Sequence, residues 1–297
     1  MSLTAFIGSM ELGLVYSLLT FGTFISFRIL KVADLTVDGS FVLGAAASAV
    51  FTFEGMPFTG IIAALIAGAM AGVITALLQT KMGIQPILAG ILTMTGLYSI
   101  NLMVMDGKAN IPLLNKTSIF TYAENFGGRA YKIIVLSVII SIIFMLLNWF
   151  FRTLLGLSIR ATGDNEDMCK ASSINTDSVK IVAFALSNSI VALSGALLAQ
   201  MQQSADVNMG SGMVVISFAS LIIGSVIIKN KNITGGLLSV VIGSIIYRLI
   251  IALILTTNFP PSYLKLISAI VVIIALCVPN LKKKMEVNRK ERGRKNC

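Results

Sequence analysis

The sequence predicts an all-α membrane protein, a bundle of about eight to nine spans. Three observations carry that expectation. Hydrophobic residues make up 56% of the 297-residue chain and charged residues only 12%, about half the charged share of an ordinary soluble domain. Apolar runs of about twenty residues, the length a helix needs to cross hydrocarbon, recur along the whole chain. Alternation of period two is absent, which argues against a membrane barrel.

In order, the spans fall at residues 4–27, 38–53, 58–80, 84–105, 131–151, 178–202, 209–228, 233–256 and 262–279. Residues 1–280 form the membrane domain, with a polar loop at 156–180, and 281–297 form a basic tail. The first span lacks a basic leader and is too long for a cleaved signal. The second is the shortest and opens on a polar, glycine-containing segment. It reads as a broken or re-entrant helix, leaving eight full spans and a half.

Basic residues orient the bundle. With the N-terminus outside and the C-terminus in the cytoplasm, the inner side carries Arg28, Lys31, Lys81, Arg152, Arg160, Lys170, Lys180, Lys229, Lys231 and the eight basic residues of the tail. The outer side carries Lys108, Lys116, Arg129 and Lys132, while Arg248 and Lys265 lie within spans. The net charge of +10 is therefore the inside bias of a multi-pass cell-membrane protein. It is no mark of nucleic-acid binding, since no aromatic residues interleave with the basic tail. The tail stays solvated or touches anionic lipid.

Chemistry is sparse. There is no histidine, and Cys169, Cys277 and Cys297 have neither disulfide nor metal-ligand placement. No cofactor or metal is expected. The phosphate-binding loop of ATPases is missing, so the chain is not an enzyme that hydrolyses ATP.

The polar loop holds GLSIRATGDNEDMCKASSINTDSVK, residues 156–180. Asp164 and Asp167 are spaced as an N-cap and its N3 acceptor, close to a capping box. A short helix over about 165–172 follows, stopped by Ser173-Ile174-Asn175. Asp177 or Thr176 then caps the next span. A short inner helix parallel to the membrane has the shape of a docking element; an ordinary capped loop fits the spacing equally.

Polar residues inside the spans are candidates for a solute pathway. Glu11 and Arg248 both fall in the outer third of their spans, where they form a buried pair or line a route for a zwitterionic solute. Asn101, Asn188 and Gln200 are helix–helix glue or ligands. Asp34, Asp38 and Ser40 open the short second span. They cap it and pair with Arg28 and Lys31, or they line a pathway along a discontinuous helix. The outer loop, Asp106–Arg129, folds over a pathway mouth, meets an external partner or simply connects spans. Gly68 and Gly72 make a small-xxx-small pair, and Gly235, Gly236 and Gly243 stripe the eighth span, both marks of close helix packing. A faint parallel repeat links the run after Lys81 with the run after Lys231.

RATGDNEDMCKASSINTDSVKIVAFALSNSIVALSGALLA resembles the cytoplasmic loop and following helix of ABC importer permeases for branched-chain amino acids, ribose and related solutes. Arg160, Ala161, Ala171, Ile174, Asn175, Lys180, Gly195 and Ala196 match the family pattern; Ser173 stands where the family has glycine. The opening ELGLVYSLLTFGTFISFRILKVADLTVDGSFVLGAA resembles a narrower branch of tryptophan/tyrosine or general amino-acid uptake permeases. The resemblance implies a permease homodimer, two cytoplasmic ATPase subunits and an extracellular or periplasmic solute-binding protein. It implies that Asp164–Asn175 is a coupling helix docking on the ATPase, with Arg160, Asp164, Asp167, Ala171, Ile174 and Asn175 as its residues. The implied solute is an amino acid, an aromatic one included. The competing readings are an ion-coupled secondary transporter using Glu11 or Asp38, and a non-transporting membrane scaffold.

Overall fold

The computed structural model describes residues 3–127, 131–228 and 232–255, with isolated helical residues 266, 269, 270 and 273. The helices are α1 (Leu3–Thr23, continued by a π-helical segment Phe24–Ile29), α2 (Val37–Phe53), α3 (Pro57–Thr80), α4 (Pro86–Val104), α5 (Ile119–Gly127), α6 (Tyr131–Phe150), α7 (Leu154–Asp164), α8 (Glu166–Ala171), α9 (Thr176–Gln202), α10 (Met213–Ile227) and α11 (Ile233–Leu255). Strands β1 (Asn110–Pro112) and β2 (Ser204–Asp206) pair antiparallel, Ile111 opposite Ala205. Eight of the nine expected spans are helices. The ninth, 262–279, is described only at residues 266, 269, 270 and 273, and the tail 281–297 lies outside the described residues, as do Lys229 and Lys231.

Among the described residues, six helices are long and apolar enough to cross a membrane: α1 with its π segment, α3, α4, α6, α9 and α11. Helices α2 and α10 are shorter, at 17 and 15 residues. At 1.5 Å per residue they reach about 25 and 22 Å, less than the roughly 30 Å of hydrocarbon. Their ends therefore lie within the protein, where every freed backbone group must find a protein partner. That requirement shapes the polar interior described below.

Helix α9 is the central column. It packs on α2 and α3, and its middle, from Ile190 to Met201, is buried. Helix α1 packs on α10 and α11 in a corresponding way. Gly68 and Gly72 let α3 lie on α9 so closely that a Cβ at either would strike the carbonyl of Asn188 or Phe184. The small-residue pair thus serves contact within the chain. Gly243 does the same between α11 and α10, against the Ser220 carbonyl.

Three features were absent from the sequence reading. The outer loop carries β1 and α5, and Leu113, Ile111 and Met105 seal it against Ala45, Ala46, Ala49 and Ala199. The polar loop contains two helices, α7 and α8. The last turns of α1 widen to a π-helix, where the Leu30 N–H donates to the Ile25 carbonyl at 3.0 Å.

Candidate functional sites: a polar interior and a docking segment

The segment between α1 and α2 carries Asp34, which is 1% exposed. One oxygen accepts the Thr36 N–H at 2.9 Å and the other accepts Asn188 Nδ2 at 2.8 Å. Asn188 Oδ1 in turn accepts the Ser40 hydroxyl at 2.7 Å, and the Thr36 and Thr75 hydroxyls meet at 2.9 Å. This network ties α2, α3 and α9 together at the start of a helix that begins inside the bundle. A buried carboxylate is tolerated only with such partners. Asp34 and Ser40 thus hold the α2 start in place.

Asp38 has a different task. Its Oδ2 accepts the Gly212 N–H at 3.1 Å and its Oδ1 the Val214 N–H at 2.8 Å. Gly212 is the N-cap residue of α10 and has no side chain to close that helix. Asp38 therefore caps α10 from another helix, satisfying two otherwise open donors and placing a negative charge at the positive end of the helix. The expected pairing of these aspartates with Arg28 and Lys31 does not form. Lys31 Nζ reaches Asp164 instead, at 2.7 Å.

Asp38 also lines a cavity of about 350 Å³ between α2, α4 and the segment 207–211. Thr95, Tyr98 and Asn101 line it from α4, and Asn208 and Ser211 from the opposite side. Of the six pathway candidates, only Asp38 and Asn101 meet here. Thr95 and Tyr98 escaped the sequence reading, although Thr95, Tyr98 and Asn101 share one face of a helix at spacings of three, a polar stripe in an apolar run.

Glu11 and Arg248 form no pair. Gly13 sits against Ile245, and from that register the Arg248 guanidinium lies over the Tyr16 ring, 5.6 Å from its centroid. Glu11 instead feels the charge of Lys132, at the start of α6. Gln200 acts as glue: Nε2 donates to Ser48 Oγ and the Pro57 carbonyl, and Oε1 accepts the Ile119 N–H.

The docking segment differs from expectation by one residue, with consequences. Asn165, not Asp164, is the N-cap of α8, its side chain accepting the Met168 N–H at 3.0 Å. Asp164 ends α7. Asn175, rather than Thr176 or Asp177, caps α9 by accepting the Ser178 N–H at 3.1 Å. Ser173 takes a left-handed backbone, φ 60°, the conformation that glycine adopts without strain. Ile174 packs on the main core. Exposed on α8 are Asp167, Met168, Lys170 and Ala171, while Cys169 is buried. Arg160 lies apart from this face. With Arg28, Asp164 and Asn232 it borders a second cavity of about 560 Å³, between the π segment of α1, α7, α10 and α11.

Glu166 clamps α8 to α9. It accepts from Lys180 at 2.7 Å and Lys170 at 2.9 Å, and the Lys180 bond, followed by Lys170, holds its carboxyl below the usual glutamate range. A depressed carboxyl contributes stability above its unfolded value and loses it as pH falls through the folded value. The clamp should therefore loosen only in acid, which amide exchange of α8 against pH would record. Replacing Ser173 by glycine should raise stability by up to about 1 kcal/mol, the relief of a left-handed L-residue less the entropy glycine adds to the unfolded chain. A lowered thermal midpoint would contradict that.

The fold is a bundle of apolar helices with two short helices at one end and a polar cavity beside a short helix, an arrangement that suits a membrane transport subunit. Residues 6–276 match the family described as "Branched-chain amino acid transport system / permease component", and the chain belongs to that family. It is a permease subunit of an ABC transporter and no catalyst itself. It is 36% identical over 280 residues, 94% of this chain and 92% of the relative, to the tyrosine transport system permease protein of Clostridioides difficile (strain R20291). It is 26% identical over 254 residues, 84% of this chain and 77% of the relative, to the ribose import permease protein RbsC of Escherichia coli (strain K12). A solved ABC transporter chain in an inward-facing conformation shares the fold, with a TM-score of 0.51 at 13% identity, covering 94% of this chain and 85% of that one.

Proposed function

We propose that this permease imports an amino acid, with an aromatic one as the first candidate, as a homodimer driven by two cytoplasmic ATPase subunits and supplied by an extracellular or periplasmic solute-binding protein. The observation that carries the solute is the 36% identity to a tyrosine transport permease across nearly the whole of both chains. The α8 segment supports ATPase docking. It exposes Met168 and Ala171 beside charged residues and is pinned to α1 by Lys31–Asp164 and to α9 by Glu166–Lys180. The test is uptake of labelled tyrosine by the permease reconstituted with its ATPase and binding protein. ATP-dependent uptake is expected, in a complex of two permeases and two ATPases. ATP-independent uptake by the permease alone under a proton or sodium gradient would replace this reading with a secondary transporter.

The proposed orientation puts the N-terminus outside and the docking segment in the cytoplasm. Lys108 and Lys170 have side chains 68% and 56% exposed at opposite ends of the bundle. In intact cells a cysteine at position 108 should react with an impermeant thiol reagent and one at position 170 should not; the opposite labelling would invert the topology. Native Cys169 is a poor reporter, being buried.

A further inference from the structure

The cavity beside α2 and α4 restricts what can occupy it. Asn101 is 2% exposed. Its Nδ2 donates to the Gly39 carbonyl at 3.2 Å, which sets the orientation of the amide. Asn101 lines the cavity, and its Oδ1 is buried with no partner, a costly state for an acceptor. Each Asp38 oxygen accepts one N–H and keeps capacity for more. Thr95 gives its hydroxyl proton to the Ile91 carbonyl at 2.8 Å, so its oxygen can only accept. Acceptors on two helices thus line one space, and among the described residues Asp38 is the only charged side chain lining it.

We propose that this cavity binds the ammonium group of the transported solute through Asn101 Oδ1, Asp38 and Thr95, with Tyr98, Met94 and Val42 receiving the apolar part. The proposal rests on the reading of the chain as an amino-acid permease and gives that reading a site. An ammonium is donor-only and matches acceptor-only groups. A sugar carries no positive charge for Asp38 to meet, so it gains less from these acceptors than an ammonium does. A carboxylate finds no cation among the lining residues, so the acid end of the solute points away from Asp38.

The experiment is binding of labelled tyrosine to the assembled transporter in lipid nanodiscs. Its competitors are tyramine, which keeps the ammonium, hydroxyphenylpropionate, which keeps only the carboxylate, and ribose. Tyramine should compete and the other two should not. Asn101→Leu should weaken tyramine and tyrosine binding about tenfold or more, as when a site built to hydrogen-bond its ligand loses a partner. Because Asn101→Leu also breaks the bond to Gly39, Thr95→Val is the second variant. It removes one acceptor at nearly constant shape and should weaken binding about threefold, a smaller loss of the same kind. Hydroxyphenylpropionate competing as well as tyramine, or tyramine binding unchanged in both variants, overturns the ammonium site and leaves tyrosine transport standing. Ribose bound in place of tyrosine overturns the proposed function itself.

Discussion

Asn188→Leu is expected to be the most destabilising single substitution in the interior, costing about 3 kcal/mol or more. Asn188 donates to the Asp34 carboxylate and accepts from Ser40. Leucine removes both partners and adds none. Asp34 would be left in the core with one N–H partner, and a buried charged group stripped of a hydrogen bond loses more than the 1–3 kcal/mol typical of a neutral one. The Ser40 hydroxyl would be orphaned with it. The measurement is the thermal midpoint of the purified permease, together with its yield as a single species in detergent. A double variant makes the cause specific. Asp34→Asn in the Asn188→Leu background removes the charge that has to be solvated, so it should recover part of the loss, a coupling that independent sites do not show. An unchanged midpoint in Asn188→Leu, or a double variant no better than the single, would mean that Asp34 is not held by this network.

How far such features are legible depends on how far apart in sequence their partners lie. The order of the apolar helices follows from apolar length alone, because the bilayer imposes that length on each helix separately. Apolar length also marked the second span as short. What it could not show is how a helix that starts inside the bundle is closed. Asp38 and its acceptor geometry toward Val214 are 176 residues apart, and Asp34 and Asn188 are 154 apart. Local capping rules assigned both aspartates to their own helix, whereas one caps α10 and the other reaches α9.

The one-residue error at the docking segment has a local cause. Asp164 and Asp167 have the spacing of a cap and its N3 acceptor, which favoured Asp164 as the cap. In the fold α7 runs through Gly163, because only a residue without a side chain can lie against the Ile29 carbonyl at the π-helical end of α1. The pairing of Glu11 with Arg248 was inferred from depth alone, and the Arg248 side chain lies instead over the Tyr16 ring.

Ala171→Arg is expected to abolish transport and ATPase association while leaving the permease inserted at normal levels. Ala171 is the last residue of α8 and is exposed beside Met168 and Asp167. It is exposed among the described residues, so a larger side chain there should not disturb the fold. Against an ATPase cleft the same change either clashes or desolvates a charge, typically several kcal/mol at an interface. At about 1.4 kcal/mol per decade, docking would weaken a hundredfold or more. The segment is wired to pass motion inward. Asp164 holds Lys31 just beyond α1, Gly163 lies on the Ile29 carbonyl, and Glu166 holds Lys180 on α9. A displacement of α8 therefore pulls on the two helices around which the bundle is built. Asp164→Ala breaks an exposed ion pair and leaves the Asn165 cap intact, so it should reduce coupling only mildly and leave docking unchanged. Co-purification of the ATPase and uptake are read for both variants. Wild-type values for Ala171→Arg would move the docking role to another inner loop, the one around 229–232 being the next to test.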